Sequence, residues 1–209
     1  MVRFVLLVLC SVAAFAQNDA ESLHITNVEI SLSKRLLLQA HTRLRTRNEY
    51  REFFQARLGP ILNFQVNRRV TAIGGYYLID QRYRKTTGQD WEDFSRYFGG
   101  TSVQVYKRPS LAVDWRGLIE RFHSIPGGDF TRVRNRATLT KTWSTWQTFG
   151  TFEVLYAQNT PTVRIGTGLN RRLSRNLLMG FGYEFRQYSN GTKGHIIVTN
   201  TTFQTGRKD

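Results

Sequence analysis

The feature that most constrains the fold of this chain is an alternation of apolar and polar side chains with a period of two residues. In one stretch, Leu36, Leu38 and Leu44 alternate with Arg43 and Arg45. This period matches a β-strand, whose successive side chains point to opposite faces, and no comparable stretch shows the period of a helix. Each alternating stretch has about ten residues, which at a tilt near 45° rise roughly 24 Å. That height matches the apolar band of a bacterial outer-membrane β-barrel.

Eleven segments alternate in this way and are separated by turn-forming residues. They cover residues 24–33, 36–45, 55–66, 70–81, 94–106, 111–122, 132–139, 148–157, 163–170, 177–186 and 195–203. The predicted fold is all-β: a single antiparallel up-and-down transmembrane β-barrel of 10–12 strands, with short periplasmic turns and longer external loops. Because single-chain bacterial barrels usually have an even number of strands, we expect ten or twelve. Residues 82–93 are predicted as a long loop, and Pro60 predicts an irregularity or bulge in its strand.

The N-terminal residues predict export from the cytoplasm. Arg3 precedes a short apolar run, and Ala14-Phe15-Ala16 fits the small-x-small rule for signal-peptide cleavage. The run is too short for a spanning helix, which needs about 20 residues. Residues 1–16 are thus predicted as a secretory signal peptide and residues 17–209 as an outer-membrane β-barrel domain. Cleavage would remove Cys10, the single cysteine, and leave no thiol for a disulfide or a metal site.

Charged side chains gather on the polar face of the alternating segments. The residues predicted to form a charged network lining the lumen are Arg43, Arg45, Arg57, Arg96, Asp114, Arg116, Glu120, Arg132, Arg134, Arg136, Glu153, Arg164, Glu184 and Arg186. An arginine facing lipid near the membrane midplane costs about 2–4 kcal/mol, so we expect these side chains to point inward. The network could simply fill and brace the barrel, or it could line a passive pore that is weakly selective for anions. Alternation alone does not separate inside from outside, so a soluble periplasmic ligand-binding barrel with the reverse orientation is a further alternative.

The chain is strongly basic, with 30 lysines and arginines against 15 aspartates and glutamates. Such an excess often indicates nucleic-acid binding, but this chain is predicted to be exported and its arginines are spread singly along strands. No nucleic-acid partner is therefore expected. The expected partners are outer-membrane lipid and lipopolysaccharide, the barrel-assembly machinery during biogenesis, and a small anionic solute.

Catalytic patterns are weak in this sequence. His123 beside Ser124, or His195 with Ser189, could supply a base and a nucleophile, but sequence neighbours rarely adopt that geometry and no nucleophile-elbow motif is present. No histidine and carboxylate residues have metal-ligand spacing, so neither a cofactor nor a metal is predicted. An outer-membrane lipid-modifying enzyme, either a hydrolase or an acyltransferase, is the alternative to a structural or passive-pore barrel.

Several short motifs follow one another in a fixed order along the chain. They are Arg43-Leu44-Arg45, Gly75-Tyr76-Tyr77, Arg116 with Glu120-Arg121, Arg132-Val133-Arg134-Asn135-Arg136, Glu153, and Val163-Arg164-Ile165-Gly166-Thr167-Gly168-Leu169 leading into Gly182-Tyr183-Glu184. This order resembles a bacterial family of predicted outer-membrane proteins, domain of unknown function 2490. The resemblance covers nearly all of residues 17–209. It implies an outer-membrane location and a β-barrel, and it implies no activity.

Overall fold

The described part of the chain is a closed β-barrel of eleven strands. The computed structural model describes residues 20–85, 88–124, 128–158 and 160–205. The strands are β1 (Ala20–Ser31), β2 (Leu36–Arg47), β3 (Glu52–Gln65), β4 (Val70–Lys85), β5 (Gly88–Arg108), β6 (Leu111–His123), β7 (Phe130–Trp143), β8 (Trp146–Ala157), β9 (Thr160–Ser174), β10 (Leu177–Tyr188) and β11 (Lys193–Thr205). Each of the eleven alternating segments lies largely within one of these strands, so the all-β barrel fold is confirmed. The predicted signal peptide lies outside the described residues.

The barrel closes through a parallel pair of strands. Consecutive strands pair antiparallel from β1 to β11, and β1 then pairs parallel with β11, from Ala20 opposite His195 to Ile30 opposite Thr205. With an odd number of strands, the first and last strands run in the same direction, so only a parallel ladder can join them. The expectation of ten or twelve strands was wrong because it assumed antiparallel pairing throughout. Either closure removes the unpaired edges that an open sheet would present.

The two ends of the barrel carry different connections. We call the end with the β2–β3, β4–β5, β6–β7, β8–β9 and β10–β11 connections the loop end, and the opposite end the turn end. The predicted long loop at residues 82–93 is wrong, because β4 and β5 continue their pairing there, from Arg82 opposite Trp91 to Lys85 opposite Gly88. Polar composition suggested a loop, but an antiparallel hairpin satisfies its backbone hydrogen bonds regardless of side-chain polarity.

The outer wall of the barrel is apolar. Leu58, Ile119 and Phe181 point outward, and each is more than half exposed, at 56%, 62% and 58% of full exposure. Directly adjacent residues in the same strands point inward and are buried, as with Arg57 beside Leu58 and Glu120 beside Ile119. The structure therefore resolves the orientation that alternation left open, with apolar side chains outside and charged side chains inside. Among the described residues, no helix is long and apolar enough to cross a membrane.

The sequence suggested a purely polar interior, but the structure shows that part of the interior is apolar. An apolar cluster covers the inner wall on β4, β5 and β6 and consists of Ile73, Tyr77, Ile79, Phe94, Phe98, Leu118 and Phe122. Arginines lie over its rings: the Arg96 guanidinium carbon is 4.6 Å from the Tyr77 ring centre, and that of Arg132 is 4.8 Å from the Phe122 ring centre. Stacking lets a guanidinium and an aromatic ring share a dry interior, because the ring face attracts the cation.

The ladder between β3 and β4 is interrupted beside Pro60. Pairing runs to Leu58 opposite Leu78 and resumes at Ile61 opposite Gly75 with no change of register. Proline has no backbone N–H to donate, so the irregularity predicted at Pro60 is present, but as a gap in the ladder and not as a bulge. The neighbouring Gly59 is sterically required, since a Cβ there would overlap the backbone carbonyl of Tyr76.

Candidate anion pathway

Strand register places five charged residues side by side across the inner wall. Arg116 on β6, Arg136 on β7, Glu153 on β8, Arg164 on β9 and Arg186 on β10 are each directly opposite the next. Residues directly opposite one another have Cβ atoms about 5 Å apart and share a face, so these side chains interact by necessity. The carboxylate at the centre of this row separates two pairs of arginines.

Two buried carboxylates connect five of the ten predicted arginines. Glu153 contacts Arg134, Arg136 at 2.8 Å and Arg164 at 3.5 Å. The second carboxylate, Glu120, is fully buried. Its partners are Arg96, whose Nη1 lies 3.4 Å from Oε1, Arg132 at 2.5 Å and Arg134 at 3.7 Å.

Arg134 contacts both Glu120 and Glu153, and so it links the two groups. The attraction of several guanidinium partners offsets part of the cost of removing a carboxylate charge from water. These contacts therefore brace strands β5 to β9 against one another.

Two further ion pairs complete the described network. Arg186 Nε donates a hydrogen bond to Glu184 at 2.5 Å within β10, and Arg45 contacts Glu21 across β2 and β1. Sequence reasoning missed Glu21, because the first alternating segment was begun at residue 24. The alternation could have placed it: Glu21 is separated from Asn27 and Glu29 by even numbers of residues and therefore lies on the same inward face of β1.

Five arginines separate two cavities inside the barrel. A cavity of about 260 Å³ lies toward the loop end and one of about 440 Å³ toward the turn end. Both are lined by Arg43, Arg57, Arg96, Arg134 and Arg164, which we call the arginine belt. Its members come from β2, β3, β5, β7 and β9, so they are distributed around the circumference. A solute that moved between the two cavities would have to pass this belt.

Positive charge in the belt is only partly neutralised. Within the described ranges, Arg43 and Arg57 have no carboxylate within ion-pair distance. The same is true of Arg116, which lies on the turn-end side of the belt. Arg43 and Arg57 are directly opposite each other on β2 and β3. The Arg57 guanidinium carbon lies 5.2 Å from the ring centre of Tyr77, which supports it from one side. The arrangement can therefore attract and hold anions.

Asp114 faces inward but does not join the arginine belt. It lines a separate cavity at the turn end together with Arg68, Arg69 and Lys107. The loop end carries a different cluster that sequence reasoning missed, in which Glu52 lies 2.8 Å from Arg47 and 3.3 Å from Arg82. Its polar residues had been assigned to loops, so their positions on strands facing one another were not foreseen.

The two histidine candidates for catalysis have different partners from those considered. His123 Nδ1 lies 2.7 Å from Oδ2 of Asp129. The other carboxylate oxygen, Oδ1, accepts a hydrogen bond from the Ser124 backbone N–H at 3.0 Å. The hydrogen bond from His123 lowers the pKa of Asp129 below its ordinary value. His195 lies beside Tyr183, with 2.5 Å between Nδ1 and the phenol oxygen. No group of three metal-ligating side chains occurs in the part of the chain that the structure covers.

Comparison with known families assigns the chain by sequence. A family model described as protein of unknown function (DUF2490) matches residues 21–196. The chain belongs to this family. The match begins in β1 and ends in β11, so the family model spans the whole circumference of the barrel. No curated protein and no solved structure matches the chain. The family description gives no activity, so function has to be argued from the barrel itself.

Proposed function

We propose that this chain is an integral outer-membrane β-barrel whose interior forms a narrow, passive pathway with weak selectivity for anions. The observation that carries the proposal is the orientation of the barrel wall. Leu58, Ile119 and Phe181 face outward and are well exposed, whereas Glu120, Glu153 and Arg186 face inward and are almost fully buried. Hydrocarbon is the solvent that stabilises the first group, and the closed sheet pairs each described strand with a neighbour on both sides, apart from the gap in the ladder beside Pro60.

The same orientation argues against a soluble periplasmic ligand-binding barrel. In a soluble barrel the leucines and phenylalanines would fill the interior and the arginines would face water. Large apolar side chains are exposed on all eleven strands, from Ile30 on β1 to Phe203 on β11, and together they form far more contiguous apolar surface than soluble proteins usually carry. We therefore propose outer-membrane lipid and lipopolysaccharide as the surroundings of this wall, and the barrel-assembly machinery as its partner during insertion.

The arginine belt supports the pathway and its selectivity. It is the shared boundary of the two cavities, and it contains two guanidinium groups, those of Arg43 and Arg57, with no carboxylate within ion-pair distance among the described residues. A constriction lined by fixed positive charge lowers the energy of an anion and raises that of a cation. The dense packing of Glu120 and Glu153 beside the belt makes the pathway narrow, so small anions are the expected solutes.

Planar-bilayer recording under a potassium chloride gradient tests this function. The wild-type barrel should give a small conductance, and its reversal potential should be shifted from zero toward the equilibrium potential of chloride. Arg43→Gln should move the reversal potential back toward zero. Arg43 is suited to the test because it has no ion pair to break among the described residues. Arg171→Gln is the matched control, since it removes the same charge from an exposed side chain on the outer face of β9 that also has no ion pair within the described ranges, and it should change little. Cation selectivity, or loss of the protein from outer membranes after a carbonate wash, would exclude the proposal.

A second candidate function is a lipid hydrolase or acyltransferase at the loop end. It is favoured by one observation, the hydrogen bond from His123 to Asp129, because a carboxylate that orients an imidazole is part of many nucleophilic active sites. Mass spectrometry of membrane lipids before and after deletion of the gene would separate the two candidates. An unchanged lipid profile would leave the passive barrel as the proposal.

A further inference from the structure

We propose that Arg43 and Arg57 form a binding site for a dianionic phosphate group inside the barrel. This inference rests on the proposed anion pathway and specifies the chemistry of its strongest site. The two residues are directly opposite each other on β2 and β3 and belong to the arginine belt that both cavities share.

Comparison with the other arginine pairs shows why this pair is unusual. In the described strands, arginines are directly opposite each other at three places: Arg43 with Arg57, Arg116 with Arg136, and Arg164 with Arg186. Like charges directly opposite each other destabilise a sheet unless something neutralises them.

The second and third pairs are relieved by carboxylates. Arg136 and Arg164 contact Glu153, and Arg186 contacts Glu184. The first pair has no carboxylate within ion-pair distance among the residues that the structure describes. The repulsion between Arg43 and Arg57 would therefore be relieved by an anion from solution.

The belt also offers hydrogen-bond donors without acceptors. The Nε atoms of Arg43, Arg57, Arg96 and Arg164 are buried and have no hydrogen-bond partner within the described ranges. Arg57 is 9% exposed and Arg96 only 2%, so neither side chain reaches bulk water. A buried donor without an acceptor destabilises the folded protein. An oxyanion between these side chains would supply the missing acceptors.

The orientation of Arg57 suits an oxyanion. Tyr77 lies under the Arg57 guanidinium at 5.2 Å and under that of Arg96 at 4.6 Å, and Tyr77 itself stacks on Phe98 at 4.9 Å. The rings cover the faces of the guanidinium groups. Their N–H groups lie in the guanidinium plane and so remain available at its edge, where they can bind two oxygens of one phosphate at once.

Charge and space both favour a dianion. Arg43 and Arg57 have no carboxylate within ion-pair distance in the described strands, and two negative charges would neutralise them, which one phosphate group carries and one carboxylate does not. The belt opens on one side into a cavity of about 260 Å³ and on the other into one of about 440 Å³. There is therefore room for a phosphate group on either side of the pair, whether as inorganic phosphate or as part of a small phosphorylated solute.

Thermal unfolding of the purified, folded barrel in detergent tests the site, with inorganic phosphate as the probe. The temperature at which half the protein migrates as unfolded on a gel should rise by a few degrees in millimolar phosphate, compared with chloride at equal ionic strength. Arg43→Gln and Arg57→Gln should each weaken the apparent affinity by roughly tenfold or more. Arg43→Lys, which keeps the charge without the paired donors, should weaken it less.

Arg69→Gln is the matched control, because it removes one inward charge at the turn end, outside the belt. It should leave phosphate binding unchanged. No stabilisation of the wild type by phosphate, or an equal loss in Arg69→Gln, would overturn the site. Glycerol phosphate in a parallel titration distinguishes the sources: stronger binding than inorganic phosphate identifies a phosphorylated solute, and weaker binding identifies the free ion.

The outcomes for this site and for the proposed pore are separable. Anion-selective conductance without phosphate stabilisation would overturn the site and leave the pore. Phosphate stabilisation that depends on Arg43 and Arg57, in a barrel without conductance, would overturn the pore and leave a binding protein.

Discussion

Leu58→Arg tests the orientation of the barrel wall more directly than any other single change. Leu58 lies in the middle of β3, its side chain is 56% exposed, and its cross-strand neighbours Thr42 and Leu78 also face outward. An arginine at this position would place a guanidinium group in hydrocarbon at a cost of about 2–4 kcal/mol. That cost lowers the ratio of folded to unfolded protein by roughly 30- to 700-fold.

The adjacent change Arg57→Leu is the matched control. Arg57 points inward and has no ion pair in the described part of the barrel, so its loss leaves no buried carboxylate without a partner. Removing its repulsion with Arg43 offsets the loss of its contact with Tyr77, and the net change in the free energy of unfolding should stay within about 1 kcal/mol.

Urea titration in lipid vesicles, followed by tryptophan fluorescence and by heat-dependent gel mobility, measures both variants under the same conditions. We expect Leu58→Arg to assemble poorly and Arg57→Leu to fold nearly as well as the wild type. Equal tolerance of both changes, or a greater loss in Arg57→Leu, would refute the placement of the apolar face in lipid.

Three further predictions follow from the packing and from the loop end. Glu153→Gln should lower the free energy of unfolding by about 3–5 kcal/mol in the same urea titration, because it leaves three partly buried arginines without their shared, fully buried carboxylate. Gly59→Ala should destabilise the barrel by about 1–3 kcal/mol or more, since its methyl group meets a backbone carbonyl, whereas Gly150→Ala, with nothing within 4 Å, should change little. The pKa of Asp129 should lie below its ordinary value of about 4 and rise toward it in His123→Gln, while the Ser124 N–H and Arg121 keep part of the lowering, as measured by NMR of the carboxyl carbon. Because the pKa is lowered in the folded state, this contact stabilises the fold above the unfolded-state pKa and the stabilisation is lost as the pH falls through the lowered value.

Much of the fold could be predicted from local sequence patterns. The eleven alternating segments correspond to the eleven strands, and the parity of each segment assigned residues such as Arg57 and Leu58 to opposite faces. Pro60 also marked the interruption of its ladder, because its missing N–H is a property of the residue itself. These features depend on a period of two, which each strand carries without reference to its neighbours.

The contacts between side chains of different strands could not be predicted from local sequence patterns. The sequence supplied the arginines and carboxylates of the network, but which of them meet depends on the register between strands. Arg134 contacts both Glu120 and Glu153, whereas Arg43 and Arg57 contact neither, and no local pattern distinguishes these arginines. The inward aromatic cluster around Tyr77 was missed for a similar reason, since tyrosine and phenylalanine suit either face of a membrane barrel.

The amino-acid sequence by itself determined that this chain forms β-strands with one apolar and one charged face, because side-chain alternation is a property of a single strand. The tertiary structure decided the number of strands, the parallel closure between β1 and β11, and the pairing of Arg43 with Arg57 away from every carboxylate of the described network. Those features arise only when residues far apart in sequence, such as Ala20 and His195, pair with each other and the barrel closes.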